Sequence, residues 1–391
     1  MITREEIREL AQFRSNAAAG SAVSFYFQPQ TPQNKSHREE AILAKDLVRN
    51  ALRDAEGNGR NGSARADLNR ILEIASRLHG NQTRAKAIFA CGAKNFWREF
   101  DLPPLLPATQ LFVNDRFHLK HLAVLLGAQP RLRVVLLDRQ RARFFDFRLD
   151  ELTEREALFH ALPRHGRSDG FAGYDAGHSE RRVADDAMHH FKDVAERLKA
   201  EFDRGQFERL IVGSLDDNWR EFEPHLHPYL KQRLLGHFVT EVTAASNDDI
   251  REHAARILRA YQDNRRRQLL RDVLGEAQRK GNGVTGLRRV LQSLELGEVQ
   301  ALLLGENFKA HAVECVNCGH LDAHILKACP ACGRETREVQ DISDAIIPQA
   351  IQKDIELLYI KDDPVFDGVG NIGALLRFRA DQNKPAILAA S

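Results

Sequence analysis

Apolar and polar positions follow two different patterns along the first third of the chain, and each pattern predicts its own kind of element. Ala22–Phe27 (AVSFYF) is a short run of aromatic and β-branched residues, which is typical of a buried strand. Glu39–Ala55 instead repeats its apolar residues three and four positions apart, as an amphipathic helix does. The same patterns predict helices at Met1–Phe13 and Ala66–Leu78, and strands at Ala87–Cys91 and Gln110–Val113. We therefore expect an α/β domain over residues 1–130.

A second domain is predicted over residues 131–268. It opens with Leu132–Asp138 and Arg143–Leu149, two strands close enough in sequence to form a hairpin. A polar stretch with four glycines follows at residues 163–182 and is expected to be a loop. The next helix has an apolar face made of Met188, Phe191, Val194, Ala195, Leu198 and Phe202. The rest of this domain is predicted as a strand at Arg209–Gly213, a helix at His225–Leu235, a strand at Val239–Val242 and a helix over residues 248–278.

The third predicted domain covers residues 269–391 and completes a mixed α/β chain of three domains. Its elements are predicted as a helix at Val284–Leu294, a strand at Val299–Leu304, a helix at Ala345–Lys353 and strands at Glu356–Ile360 and Ala374–Arg379. Residues 312–336 form an insertion between the first of these strands and the second helix.

Four cysteines give this insertion its chemistry. Cys315 and Cys318 form one CxxC pair, Cys329 and Cys332 form another, and a glycine follows each pair. Two such pairs can close a tetrahedral site with no open position, so the spacing predicts a structural Zn²⁺ ion bound by four thiolates. The alternative is a pair of disulfides, which a reducing cytoplasm disfavours. We expect the zinc-bound insertion to be a small projection on the third domain.

Composition narrows the class of protein. Hydrophobic residues make up 43% of the chain and charged residues 29%, as in an ordinary globular protein. A net charge of +2 gives no general attraction to nucleic acid, so any basic surface must be local. No apolar run approaches the ~20 residues that span a bilayer, and Met1–Leu10 lacks a signal-peptide core, so we expect a cytoplasmic protein without a membrane partner. The fifth cysteine, Cys91, lies in an apolar stretch and is expected to be a buried, inert thiol.

Several segments, in order along the chain, resemble one family. These are Ala22–Phe27, Asn114–His118, Leu162-Pro163 through His165-Gly166-Arg167, His190–Glu196, Leu210–Ser214, Gly286–Gly305 and Gly370–Arg379. Together they resemble the archaeal and eukaryotic class-I peptide-chain release factors, their relative Pelota, and the bacterial proteins of the same architecture.

The resemblance implies a three-domain protein that enters the ribosomal A site. Its partners would be the ribosome, ribosomal RNA and the P-site tRNA. The third domain would resemble a kink-turn-binding ribosomal protein, carry an inserted zinc ribbon as archaeal members do, and dock a translational GTPase.

The codon-reading motifs of the family are incomplete. Asn34-Lys35-Ser36 matches the NIKS loop without its isoleucine. The YxCxxxF motif is reduced to Leu111, Val113 and Phe117, with neither tyrosine nor cysteine. The resemblance therefore does not imply that a stop codon is read.

The catalytic loop of the family is altered as well. Counting back from His190 places Ala176-Gly177-His178 near the position of the GGQ loop, whose glutamine positions water against the ester of peptidyl-tRNA. One possibility is that Gly177 and His178 still act in catalysis, because a histidine can hold or deprotonate water. The alternative is that the loop has lost hydrolysis and has kept only a shape that fits its binding site. Five basic side chains near the loop suit contact with RNA phosphates: Arg164, His165, Arg167, Arg181 and Arg182.

Three functions follow from this pattern. The first is a release-factor-like factor that occupies the ribosomal A site during rescue, stalling or hibernation. The second is an enzyme that hydrolyses the peptidyl-tRNA ester with His178. The third is a non-ribosomal RNA-binding protein on the same scaffold.

Overall fold

The chain folds into two compact units. The computed structural model describes residues 2–15, 22–29, 37–57, 62–78, 84–102, 106, 108–127, 130–159 and 176–380. The first unit combines Met1–Ala128 with Arg265–Ser391, and the second is Gln129–Asn264. The ends of the second unit lie close to the limits of the predicted middle domain, while the further division of the first unit into two domains stays a prediction.

The N-terminal part of the first unit is built on an antiparallel sheet of four strands in the order β3-β2-β1-β4. Two helices, α2 and α3, cover one face through apolar side chains that include Phe25, Phe27, Val48, Leu68 and Ile88. The elements are α1 (Arg4–Gln12), β1 (Ala22–Phe27), α2 (His37–Gly57), α3 (Gly62–Arg77), β2 (Ala85–Cys91), β3 (Phe96–Leu102), β4 (Gln110–Asn114) and α4 (Lys120–Gly127).

Most of these elements were predicted, but β3 and α4 were missed. Strand β3 lies at the sheet edge and carries Arg98, Glu99 and Asp101, whose charges hide the strand pattern. Helix α4 has only eight residues, too few for a helical period to stand out from an apolar run. Cys91 is buried, as expected.

The second unit contains a five-stranded sheet in the order β7-β6-β5-β8-β9. Strands β5, β8 and β9 are parallel, and β5 and β6 form the predicted antiparallel hairpin. The elements are β5 (Leu132–Leu137), β6 (Arg141–Arg148), β7 (Glu151–Phe159), α5 (Ala176–Asp203), β8 (Arg209–Gly213), α6 (Asp216–Phe222), α7 (Pro228–Lys231), β9 (Leu234–Phe238) and α8 (Asn247–Gln278). The last part of α8, from Arg265 on, belongs to the first unit.

Helix α5 packs on one face of this sheet. Phe191, Val194 and Leu198 are buried in the core that it forms with β5, β6 and β8, as predicted. Met188 was expected in the same face, but its side chain is exposed. Ala187, one residue earlier on the helix, is buried instead.

Two predictions in the second unit were wrong. Of the residues expected as the helix His225–Leu235, only Pro228–Lys231 form an α-helix, α7. Leu234 and Leu235 already belong to the next strand, β9, which was expected at Val239–Val242. Pro228 starts a new helix because it lacks an amide hydrogen and suits the first helical position. Gly236 and His237 have low strand propensity, and for this reason β9 was not recognised as a strand in the sequence.

The C-terminal part of the first unit has a second four-stranded sheet in the order β10-β16-β11-β15. The insertion forms a separate sheet of three strands, β13-β12-β14, between β11 and α10, where the sequence predicted it. The elements are β10 (Gly283–Thr285), α9 (Leu287–Glu295), β11 (Val299–Gly305), β12 (Ala312–Cys315), β13 (Leu321–Asp322), β14 (Thr336–Val339), α10 (Ser343–Gln352), β15 (Glu356–Ile360), α11 (Pro364–Gly368) and β16 (Ile372–Leu376).

The predicted helix Val284–Leu294 starts late. Val284 belongs to β10, which pairs with β16, and the helix begins only after Gly286. Gly286 has a φ of 83°, a left-handed conformation that reverses the chain between strand and helix. Within the described ranges, no helix is long and apolar enough to cross a membrane.

Candidate metal centre and its surroundings

The four cysteines of the insertion converge at one point. Their Sγ atoms all lie within 4.8 Å of one another. The Sγ atoms of Cys315 and Cys332 are 3.4 Å apart, and those of Cys318 and Cys329 are 3.6 Å apart. A tetrahedral Zn²⁺ with Zn–S bonds of about 2.3 Å separates its sulfur ligands by about 3.8 Å. The four thiols therefore fit a single metal ion.

The backbone around each CxxC pair is arranged to support a metal. The N–H groups of Asn317 and Cys318 point at Cys315 Sγ, with N···S distances of 3.4 and 3.5 Å. Gly319 and Gly333 both have a φ of 72°, and their N–H groups bond to the carbonyl oxygens of Cys315 and Cys329. Because L residues avoid this conformation, glycine lets each turn close behind its two sulfurs.

The amide hydrogens also favour the metal-binding form of the first cysteine. The N–H groups of Cys318 and then Asn317 bond to Cys315 Sγ and lower the pKa of that thiol to about 6. A thiolate is the form that binds a metal. The neighbouring histidines are engaged elsewhere, since His320 pairs with Glu295 at 2.8 Å and His324 with Asp322 at 3.1 Å.

The opposite side of the insertion carries a cluster of charged side chains that the sequence did not reveal. We call Arg14, Asp115, Arg116, Glu314 and Arg337 the Glu314 cluster. Glu314 is fully buried and forms ion pairs with Arg116, with Arg337 at 2.7 Å and with Arg14 at 3.3 Å. Arg337 also pairs with Asp115. Burial alone would raise the pKa of Glu314, but hydrogen bonding and charge from Arg116 outweigh it and hold that pKa below its ordinary value.

The insertion was expected as a small projection on the third domain, but it also contacts residues 14 and 116 of the N-terminal part of the first unit. Glu314 lies in β12. Arg116 lies in the segment after β4, 198 residues earlier in the chain, and donates a hydrogen bond to the Glu314 carboxylate. Sequence reasoning missed the contact because an ion pair over that separation leaves no local pattern. The sequence signal that could have pointed to the cluster is the acidic Glu314 directly before the predicted metal ligand Cys315.

A cavity of 1510 Å³ lies beside the Glu314 cluster in the first unit. Its wall includes His118, whose Nδ1 is 2.7 Å from an oxygen of Asp344 in α10, and Phe112, whose ring stacks on His118 at 3.8 Å. Burial, followed by the charges of His118 and Lys120, lowers the pKa of the adjacent His121 to about 3, so His121 is neutral at pH 7.

The residues matched to the codon-reading motifs have structural roles where they are described. Phe117 is buried, and its ring lies 4.5 Å from that of Phe13 and 5.3 Å from that of Phe89. Leu111 and Val113 lie in β4. Residues 34–36 lie outside the described residues.

The glycine-rich segment is only partly described. Arg164, His165 and Arg167 lie outside the described residues. The other predicted residues were expected in a loop but belong to the first turns of α5, of which the structure describes the backbone: Gly177, His178, Arg181 and Arg182. The run from Ser179 to Ala187 favours a helix strongly enough to include Gly177.

Comparison with known proteins finds a family model that matches part of the chain. Residues 118–259, which span nearly all of the second unit, match the model of "Bacterial archaeo-eukaryotic release factor family 10". This part of the chain is similar to release factors of the archaeo-eukaryotic type.

The curated relatives of the chain are distant in sequence. Peptide chain release factor subunit 1 of Pyrococcus abyssi is 26% identical over 263 residues, which cover 59% of this chain and 61% of that protein. The protein of the same name from Archaeoglobus fulgidus is 22% identical over 301 residues, or 71% of this chain and 73% of the relative. The chain thus spans about three fifths of the length of the Pyrococcus relative.

Solved structures of the family were also matched. An archaeal translation termination factor aligns over 96% of this chain and 99% of its own, with 15% identity and a TM-score of 0.26. Pelota of Archaeoglobus fulgidus aligns over 77% of this chain and 81% of its own, with 12% identity and a TM-score of 0.33.

Proposed function

We propose that the chain is a ribosome-binding factor of the release-factor and Pelota type, which occupies the A site during rescue, stalling or hibernation in the cytoplasm. The observation that carries the proposal is the family match over residues 118–259. In this role the basic side chains at residues 164–182 contact ribosomal RNA and the P-site tRNA. A translational GTPase is the partner we propose for residues 269–391.

The metal centre supports this function as a structural element. We propose Zn²⁺ as the ion, because four thiolates form a closed site with no position for a substrate. Cys315, Cys318, Cys329 and Cys332 would hold it. The ion would order the insertion and take no part in chemistry.

Ribosome binding is tested by sedimentation. The chain should pellet with ribosomes at moderate salt, and Arg181→Ala combined with Arg182→Ala should weaken binding. Loss of two phosphate contacts should reduce the slope of log affinity against log salt by about 2. Arg220→Ala is the matched control, because Arg220 is a 78% exposed arginine of the same unit. A chain found only in the free fraction, in growing and in starved cells, would refute ribosome binding.

Peptide release is tested separately on stalled ribosome complexes. We expect no release, because Gly177 and His178 lie in α5 and a helical backbone cannot approach an ester as closely as an extended glycine loop. Release by the parent chain that disappears in His178→Ala would instead establish hydrolysis with His178 as its catalytic residue. His189→Ala, on the same helix, is the control.

A further inference from the structure

We propose that the metal centre is a latch that holds residues 1–128 and residues 265–391 together within the first unit. The connection is Glu314, the residue directly before the metal ligand Cys315 in β12. Successive side chains of a strand point to opposite faces. The thiol on one face of β12 binds the metal, and the carboxylate on the other face binds Arg116.

The groups that Glu314 meets across the latch all belong to residues 1–128. Arg116 is only 6% exposed, and Arg14 and Asp115 lie beside it. A buried ion pair is stable only while its geometry holds, because both groups have lost their hydration. A small displacement of β12 would separate Arg116 from Glu314 and leave this buried guanidinium with the more distant carboxylate of Asp115, 3.9 Å away, which is costly.

The insertion depends on the metal for that geometry. Its three strands have four, two and four residues, which is too little sheet to be stable alone in water. Structural zinc supplies the folding free energy of such small domains. Removal of the ion should therefore disorder β12 and withdraw Glu314 from Arg116.

Other contacts join the same two parts of the chain and would be lost next. His118 pairs with Asp344, and the Gln352 side chain donates to the carbonyl oxygen of Ala11 at 2.8 Å. Asp344 and Gln352 lie in α10, outside the insertion. Loss of the latch should separate these contacts too and open the cavity beside them. The latch would operate whether or not the chain binds ribosomes.

Chemical labelling of the full-length chain tests the latch. Phenylglyoxal reports on Arg116 and diethyl pyrocarbonate on His118, which Asp344 of α10 covers. In the zinc-loaded chain, both should react at least tenfold more slowly than the exposed references Arg220 and His189. Chelation should bring both rates close to those references. Labelling of Arg116 alone would mean that the insertion melts locally, and the latch would then be wrong.

A variant that keeps the metal separates the latch from the ion itself. Glu314→Gln should retain zinc, measured per chain, yet label faster at Arg116 and His118 than the parent. Glu338→Gln is the control, because Glu338 is an exposed residue of β14 that pairs with His311 outside the cluster. Slow labelling of both residues in zinc-loaded Glu314→Gln would overturn the role of Glu314. The chelation experiment on the parent chain decides the matter if Glu314→Gln does not fold.

Discussion

Cys315→Ser is expected to reduce the bound metal from about one ion per chain to almost none. Cys315 is one of the two buried ligands, and the N–H groups of Asn317 and Cys318 favour its thiolate form. A serine hydroxyl stays protonated near neutral pH and is a poor zinc ligand. Structural zinc in small domains contributes roughly 10–16 kcal/mol at pH 7, so the insertion should unfold.

Metal content by plasma emission spectrometry and digestion by trypsin measure this effect. New cleavage should appear at Lys327, Arg334 or Arg337 of the insertion, while the second unit stays intact. Cys91→Ser is the matched control, because Cys91 is a buried thiol in β2, outside the four-cysteine site. Equal zinc content in Cys315→Ser and the parent would contradict the site, and iron in the parent would contradict zinc.

Phe191→Ala is expected to lower the free energy of unfolding of the second unit by about 3–5 kcal/mol. Phe191 is 1% exposed in the core beneath α5, and its ring lies 5.8 Å from that of Phe222. Truncation removes the aromatic ring and leaves a cavity that the sheet cannot fill.

The matched control lies one turn earlier on the same helix. Met188→Ala should change the free energy of unfolding by less than about 1 kcal/mol, because the Met188 side chain is 38% exposed. Urea unfolding followed by circular dichroism measures both variants. Similar losses in the two variants would mean that Met188 belongs to the core, as its spacing in the sequence suggested.

The local part of the fold could be predicted from the sequence. Ala22–Phe27 was predicted with its observed limits because its apolar run is flanked by polar residues. The four-cysteine site was predicted because its ligands lie within one short segment. Strand β9 was missed because its place is set by pairing with β8, a non-local contact that outweighs the low propensity of Gly236.

The long-range part of the site could not be predicted in this way. Arg116 and Glu314 meet only after two distant segments have packed together. His118 appeared in a family motif, but its contact with Asp344 in α10 had no counterpart in the sequence pattern. Ion pairs depend on three-dimensional proximity, and residue spacing carries no information about it at such separations.

The order of segments in the first unit limits when it can form during synthesis. Its C-terminal sheet places β16 between β10 and β11, so this sheet is incomplete until Leu376 has left the ribosome. The second unit is continuous in sequence and emerges whole before that point. Arg116 is therefore synthesised well before its partner Glu314, and the entire second unit is translated between them. In a chain with this connectivity, β16 completes a unit whose first strands are translated before the whole second unit.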